Sequence, residues 1–124
     1  MSYLMIALGG ALGALARFAL GGFVQARAQA IFPYGTLVVN LTGCLAMGFV
    51  MTLINDRVVV APAFWYLVPV GFIGAFTTFS TFELETFRVA QDGAWLIAAA
   101  NVGASVFFGF IAVWLGVITA RRLF

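Results

Sequence analysis

Four hydroxyl side chains lie close together in an otherwise apolar part of the sequence. Residues 71–82 read GFIGAFTTFSTF, in which two glycines precede hydroxyl residues that are interleaved with phenylalanines. Gly71 and Gly74 either bend or interrupt the helix or let another backbone approach closely. The hydroxyl residues are Thr77, Thr78, Ser80 and Thr81. Hydroxyls supply donors and acceptors that hydrocarbon lacks, and polar groups at membrane depth are tolerated where protein buries them or where they line a cavity. Small-residue packing would explain one or two of these residues, but four in five positions favour a pathway or a binding site.

Two further polar residues lie inside apolar stretches. Arg17 is several turns inside the first stretch, where an arginine costs at least about 2.5 kcal/mol on insertion scales. It either snorkels to the nearer interface or lies against another helix at an aqueous vestibule, where a guanidinium would concentrate anions and repel cations. Asn40, in the middle of the second stretch, either bonds a neighbouring helix or donates to a dehydrated anion. Ser105 in the last stretch and Asn101 one turn earlier offer similar groups, of which Asn101 is nearer the entrance and the weaker candidate. An anion pathway is therefore the first prediction.

Four apolar stretches must position these residues. Hydrophobic residues make up 65% of the 124-residue chain and charged residues 8%, whereas about a quarter of a soluble domain is charged. The stretches run over about Tyr3–Val24, Tyr34–Ile54, Phe64–Phe87 and Trp95–Ala120. Each reaches the roughly 20 residues that a helix needs to cross a bilayer. The sequence therefore predicts an all-α, multi-pass membrane protein that forms one transmembrane domain over residues 1–124.

The inventory of reactive side chains excludes most enzyme classes. Cys44 is the only cysteine, and the chain has no histidine. Disulfides within the chain, thiolate metal sites and the usual general base are therefore absent. The net charge of +2 comes from too few charged residues to support nucleic-acid binding. We do not expect an enzyme.

The arginines are divided almost evenly between the two sides of the membrane. With four spans, the side that holds both termini and the predicted loop Asn55–Pro62 carries three arginines, and the opposite side carries two. The first group is Arg57, Arg121 and Arg122, and the second is Arg27 and Arg88. Basic residues in short loops normally set the orientation. Either other signals orient this chain, or it inserts both ways and two copies pair antiparallel.

Three motifs in this order on four spans resemble the CrcB/Fluc family of fluoride channels. They read GALGALARF around Arg17, GTLVVNLTG around Asn40 and GFIGAFTTFSTFELET over the hydroxyl block. The resemblance covers essentially the whole chain. It implies a passive, selective fluoride channel that exports fluoride and lowers its cytoplasmic concentration. It also implies an antiparallel, dual-topology homodimer in a bacterial inner or plasma membrane, with two pores that are each lined by both subunits.

The resemblance also implies roles for individual residues. In such proteins the third helix breaks before the TTFSTF block, and backbone carbonyls hold a structural, non-transported sodium ion on the twofold axis. Here these carbonyls belong to Gly74 and Thr77. The pore positions become Asn40, Phe79, Phe82, Ser80, Thr81 and Ser105, and the vestibule or pore-end positions become Arg17 and Glu85. Gly109, one turn after Ser105, stands where some relatives have a hydroxyl, which leaves the contribution of the last helix open.

The chemistry of fluoride agrees with these residue types. Fluoride is small, hard and strongly hydrated, so a pore needs several moderate donors in place of one deep site. Phe79 and Phe82, three residues apart on one helix face, are able to present the positive edges of their rings, although periodicity alone equally predicts core packing.

Two other functions remain as alternatives. A proton-coupled exporter of the small multidrug-resistance type has similar length and dual topology, but it needs a carboxylate in the first helix, where this chain has Arg17. A membrane assembly subunit that transports nothing would leave the hydroxyl block without a purpose.

Overall fold

The computed structural model describes residues 1–57 and 60–124, which are almost entirely helical. Helix α1 spans Ser2–Ala28, and α2 spans Tyr34–Thr52 and continues in wider turns over Leu53–Arg57. Helix α3 consists of three consecutive segments, which are Pro62–Trp65, the wider turns Tyr66–Ile73 and the last turn Gly74–Phe76. Helix α4 spans Phe79–Gln91, and α5 spans Trp95–Leu123.

Four helical stretches are long and apolar enough to cross a membrane. They are Ser2–Ala28, Tyr34–Asp56, Pro62–Gln91 and Trp95–Leu123. The prediction of an all-α protein with four spans is therefore confirmed, and the observed helices extend a few residues beyond most of the predicted ends. The predicted loop Asn55–Pro62 lies partly outside the described residues.

Glycines set the contact between α1 and α3. A Cβ atom added at Gly9 would overlap the carbonyl oxygen of Leu67, and one added at Gly13 would overlap the carbonyl oxygen of Phe72. Small residues let helix backbones approach closely in a membrane, where packing replaces the hydrophobic effect as the source of association. The glycine stripe of α1 is thus a packing surface that fixes the first half of the third span.

Helices α2 and α5 run parallel and also meet through glycines. A side chain at Gly48 would overlap the carbonyl oxygen of Val113, and one at Gly116 would overlap that of Leu45. At the ends of these helices, Arg121 Nε donates to Asp56 Oδ2 over 3.3 Å. The two helices therefore end on the same side, as four alternating spans require.

The connection between α1 and α2 is held by one side chain. Gln25 Nε2 donates to the carbonyl oxygens of Ala30 and Phe32 at 2.9 and 3.2 Å. Gln25 Oε1 accepts from the backbone N–H of Gly35 at 3.0 Å. Because these bonds satisfy two carbonyl oxygens of the connection and one N–H in the first turn of α2, Gln25 fixes where α2 begins relative to α1.

Two threonines separate α3 from α4. Both threonines have extended backbone: Thr77 has φ −79° and ψ 156°, and Thr78 has φ −150° and ψ 123°. The sequence allows Gly71 and Gly74 either to interrupt the helix or to admit another backbone; the interruption is not at these glycines, since both lie in helical backbone. Gly71 is needed for close approach, because a Cβ there would lie 3.1 Å from the Gly9 Cα. The β-branched threonines suit extended backbone, and Thr78 caps α4 by accepting from Thr81 N–H.

Few large side chains are buried within the single chain. In the most apolar 18 residues of each span, only 11–22% of the positions are buried. Val39 and Asn101 are the largest fully buried side chains in the described part of the chain. Many aromatic and aliphatic side chains lie on the outside of the four-helix unit. These surfaces are available to lipid or to a protein partner.

Candidate functional site

The side-chain amide of Asn40 pairs with the backbone of Thr78. Asn40 Nδ2 donates to the Thr78 carbonyl oxygen at 2.9 Å, and Asn40 Oδ1 accepts from the Thr78 N–H at 2.8 Å. This pair of bonds joins the middle of α2 to the extended segment between α3 and α4. Asn40 thus makes the interhelical contact that the sequence allowed, and the second N–H of its amide is left for another acceptor.

Gly43 makes room for this contact. It lies about one turn after Asn40 on α2, and a Cβ added there would overlap Thr77 Cγ2. The extended segment therefore lies directly against the α2 backbone. A larger residue at position 43 would push Thr77 away and break the geometry of the Asn40 pair.

Two cavities share Thr78 in their walls. The first has a volume of about 560 Å³ and the second about 340 Å³. The predicted site residues in the first cavity are Arg17, Thr81 and Glu85. Those in the second are Asn40, Thr77, Phe79 and Ser105. The fold thus brings seven of the predicted site residues to two adjacent spaces.

The first cavity contains one basic and one acidic side chain. Arg17 comes from α1 and Glu85 from α4, and no ion pair within 4.0 Å joins them, since the one ion pair among the described residues is Asp56 with Arg121. One carboxylate oxygen of Glu85 is buried without a hydrogen-bond partner in the described part of the chain. The Thr81 hydroxyl accepts from the Thr78 hydroxyl at 3.1 Å, so its own proton is free to be donated to a guest in the cavity.

The second cavity combines donors with aromatic surface. Ser105 Oγ is buried and has no partner among residues 1–57 and 60–124. Phe79, which lines the cavity, is 74% exposed in the single chain, whereas Phe82 is 6% exposed. The centroids of the two rings are 5.8 Å apart, and the ring planes are tilted by 47°. A small anion in this space would meet hydroxyl, amide and ring-edge donors in apolar surroundings.

Three predicted residues lie outside both cavities. Phe82 packs beneath Phe79, and Ser80 is exposed. Gly74 is also exposed, and a Cβ added there would lie 3.7 Å from its nearest neighbour, the Pro69 carbonyl oxygen. Gly109, where a hydroxyl was considered, is buried against α2, because an added Cβ would lie 3.7 Å from Cys44 Sγ. The last helix therefore contributes Ser105 to the second cavity.

The carbonyl oxygens at the end of α3 lose their helical donors. In a continuous helix, Thr78 N–H would donate to Gly74 and Thr81 N–H would donate to Thr77. Thr78 N–H donates to Asn40 instead, and Thr81 N–H donates to Thr78 Oγ1 at 3.3 Å. No group of three or more His, Cys, Asp or Glu side chains that could hold a metal occurs among the described residues. Backbone carbonyl oxygens are therefore the ligands that this segment offers to a hard cation.

Sequence reasoning missed the polar link between α4 and α5. Asn101, 2% exposed, donates through Nδ2 to Thr86 Oγ1 at 2.8 Å, and the Thr86 hydroxyl donates to the Phe82 carbonyl oxygen at 2.7 Å. The sequence feature that could have revealed this link is the spacing of Phe79, Phe82 and Thr86, which follow an i, i+3, i+7 pattern and so lie on one face of α4. The role of Thr78 was also missed, because it depends on backbone angles that the residue type does not determine.

Comparisons with known proteins agree over the whole chain. A family model described as CrcB-like protein, Camphor Resistance (CrcB), matches residues 4–117. A protein of Acidobacterium capsulatum named fluoride-specific ion channel FluC is 47% identical over 123 residues, which cover 99% of this chain and 98% of the relative. A protein of the same name from Solibacter usitatus is 48% identical over 122 residues, covering 98% of this chain and 100% of the relative. A third, from Nitratidesulfovibrio vulgaris, is 44% identical over 117 residues, covering 94% of each.

Proposed function

The chain belongs to the CrcB family of fluoride-specific ion channels, and from this premise we propose that it conducts fluoride passively out of the cell and so lowers the cytoplasmic fluoride concentration. Its relatives are named as channels and not as enzymes. The observation that supports conduction in this chain is the pair of cavities that share Thr78, because their walls contain the cationic side chain of Arg17 and several unpaired hydrogen-bond donors.

The first cavity is proposed as the entrance. Arg17 raises the local concentration of anions there, since the partly apolar walls of the cavity focus the field of its guanidinium on them. Glu85 lies in the same cavity without a direct pair to Arg17, so that the positive field is reduced but not cancelled. The entrance would thereby attract fluoride without holding it in a deep well, as conduction requires.

The second cavity is proposed as the selective part of the path. Asn40 offers its second amide N–H, Ser105 its hydroxyl and Phe79 its ring edge. These donors replace water around a small, hard anion, whereas the larger chloride, with its lower charge density, gains less from them. Thr78 lines both cavities, and the Thr81 hydroxyl, which accepts from the Thr78 hydroxyl, would offer its own proton to the ion as it leaves the entrance for these donors.

The working unit is proposed to be an antiparallel homodimer with two pores. Phe79 lines the second cavity and yet is 74% exposed, so the single chain leaves that wall incomplete. A second copy would close the wall, cover Gly74 and other exposed small and aromatic residues, and contribute residues to each pore. The near-even division of the arginines agrees with insertion in both orientations.

A structural sodium ion fits the end of α3. The carbonyl oxygens of Gly74 and Thr77 lack helical donors, and Gly74 is exposed where a second copy would meet it. Carbonyl oxygens are suitable ligands for a hard cation, and such an ion would neutralise four carbonyl dipoles, two from each copy, and so strengthen the dimer. The protein's part is to keep these carbonyls free of hydrogen bonds, which Asn40 and the Thr78 hydroxyl accomplish.

Efflux from liposomes tests the proposed function. Purified protein is reconstituted in vesicles loaded with potassium fluoride, and a fluoride electrode follows release after a potassium ionophore relieves the membrane voltage. We expect rapid fluoride release without a proton gradient and little release of chloride from matched vesicles. Comparable chloride release would exclude selectivity, and strict dependence on a proton gradient would favour a coupled exporter.

Labelling of termini tests the dual topology independently of ion flux. A cysteine added at either terminus of a Cys44→Ala variant should be labelled by an impermeant reagent from both sides of the membrane. A single orientation would exclude the antiparallel dimer.

Replacing sodium with a large organic cation should weaken the dimer or abolish fluoride flux, and sodium flux through the protein would contradict a structural role for sodium.

A further inference from the structure

We propose that Asn101 and Thr86 are positioning residues for the aromatic part of the pathway. Asn101 Nδ2 donates to Thr86 Oγ1 at 2.8 Å, and the Thr86 hydroxyl donates to the carbonyl oxygen of Phe82 at 2.7 Å. The Thr86 hydroxyl has one proton, and Phe82 receives it, so Asn101 must be the donor in the second bond. The orientation of the amide is fixed by this requirement.

The two bonds set the register of α4 against α5. Phe79 and Phe82 lie on the same face of α4 as Thr86, two turns and one turn before it, and Ser105 lies one turn after Asn101 on the same face of α5. A hydrogen bond has a narrow range of length and angle, so a bond at one level of two packed helices determines which side chains meet at the next levels. The Asn101–Thr86 bond thereby determines how Ser105 and Phe79 meet in the second cavity.

The burial of Asn101 adds to the argument. At 2% exposure it is a polar side chain whose site an apolar residue of similar size would fill equally well. Within a membrane protein, a single interhelical hydrogen bond adds little to stability on average. Such a bond is worth more as a specification of register than as a source of stability.

This inference rests on the proposed function, and two single variants test it through fluoride flux. Asn101→Leu and Thr86→Val each remove the bond with little change in volume, and flux per folded channel should fall about tenfold, which corresponds to a barrier higher by about 1.4 kcal/mol. Thr86→Ser keeps the hydroxyl and should retain flux close to that of the unaltered protein. Thr119→Val is the matched control, because the exposed Thr119 hydroxyl donates to the Leu115 carbonyl oxygen in the same way, and no other helix in the described part of the chain donates to it.

The double variant Thr86→Val with Asn101→Leu separates positioning from stability. Replacement of both partners by apolar groups leaves no unsatisfied polar atom and is close to neutral for folding. We expect a thermal unfolding midpoint near that of the unaltered protein together with flux that is still about tenfold lower. Full recovery of flux along with stability would overturn the proposal, as would normal flux in both single variants.

A register measurement decides the proposal even if the protein conducts no fluoride. Cysteines replace Phe79 and Ser105 in a Cys44→Ala background, since both positions line the second cavity, and the rate of cross-linking by copper phenanthroline or a short bifunctional reagent is followed. Addition of Asn101→Leu should change this rate severalfold, and addition of Thr119→Val should leave it unaltered. An unaltered rate with Asn101→Leu would reject the register role, whereas absent flux in the unaltered protein would reject only the proposed function.

Discussion

Two helix pairs of this chain are joined by different means. Helix α1 meets α3 through Gly9 and Gly13, whose missing side chains allow backbone-to-backbone contact. Helix α4 meets α5 through a hydrogen bond between Thr86 and Asn101. The first contact contains no side-chain polar group that must be satisfied, whereas the second buries an amide and a hydroxyl.

The difference follows from what each pair has to do. A glycine contact holds two backbones at the shortest possible distance and leaves no space between them. A side-chain hydrogen bond keeps the backbones further apart and still fixes their register, so that a cavity is able to open one or two turns away. Helices α4 and α5, whose Phe79 and Ser105 line the second cavity, are joined by the hydrogen bond. Glycine joins α1 to α3, and it also joins α2 to α5 where these two helices pack closely beside the same cavity.

The Asn40–Thr78 pair combines both means at the point where α3 ends. Gly43 admits Thr77 to the surface of α2, and Asn40 then replaces the helical partners of the Thr78 backbone. Glycine brings the backbone near, and the amide determines how it lies. The comparison therefore predicts different consequences for variants of the two kinds of contact.

The largest effect is expected from Gly13→Ala. The added Cβ would overlap the carbonyl oxygen of Phe72, and because that atom belongs to a helix backbone the contact has no easy relaxation. We expect destabilisation of about 3 kcal/mol or more, seen as loss of monodisperse protein in detergent. Gly103→Ala is the control, since no atom of residues 1–57 and 60–124 lies within 4 Å of its added Cβ, and alanine there should raise stability by up to about 1 kcal/mol. Equal behaviour of the two variants would remove the distinction between packing and open glycines.

The four spans and the polar residues inside them could be predicted from the sequence, because the length and hydropathy of each apolar stretch mark a span and a polar side chain within it is plain from its residue type. Tyr34 and Trp95 begin α2 and α5 as predicted, and Arg17, Asn40 and Ser105 line cavities. The resemblance to the family is confirmed by the match over residues 4–117.

The position of the extended residues could not be predicted in the same way. Glycines permit an interruption but also permit close packing, and tertiary contact with α1 decided the second use for Gly71. The extended conformation of Thr77 and Thr78 depends on Asn40, 38 residues away from Thr78, which no local pattern shows. Roles that depend on such distant partners, including those of Thr86 and Asn101, appear only when the helices are placed together.

The next largest effect is expected from Asn40→Asp. The carboxylate still accepts the Thr78 N–H, but it no longer donates to the Thr78 carbonyl oxygen and it places a negative charge beside the second cavity. Repulsion between like charges a few ångströms apart should lower fluoride flux at least about a hundredfold. The exposed Asn55 provides the control, and Asn55→Asp should conduct normally. Normal flux in Asn40→Asp would show that the amide serves only as an interhelical bond.

A smaller effect is expected from Phe79→Ile and Phe82→Ile. Each change keeps most of the apolar volume and removes the ring edge, which is worth about 0.5–1.5 kcal/mol in aromatic contacts. Flux should therefore fall between about threefold and tenfold while the protein remains folded. Phe110→Ile is the control, because Phe110 is 77% exposed and lines neither cavity. Unaltered flux in both variants would return Phe79 and Phe82 to simple packing.

The smallest effect is expected from Arg17→Gln, which removes the positive charge from the first cavity. If Arg17 acts by attracting anions, its contribution is a long-range field, and the field of an accessible charge is screened over about 10 Å at 0.1 M salt. We expect flux to fall about threefold at low ionic strength and to approach that of the unaltered protein at high concentrations of an impermeant salt.

Two further variants complete this test. Arg17→Lys should retain flux, because a field depends on charge and not on the planar shape of the guanidinium. Arg122→Gln should show no comparable loss, since Arg122 is exposed at the end of α5. A loss in Arg17→Gln that is equal at all salt concentrations, and that Arg17→Lys shares, would mean that the guanidinium holds α1 and α4 by direct contacts. Arg17 would then belong with the side chains that join helices, as Asn101 does, and the entrance would owe its anion preference to hydroxyl donors such as Thr81.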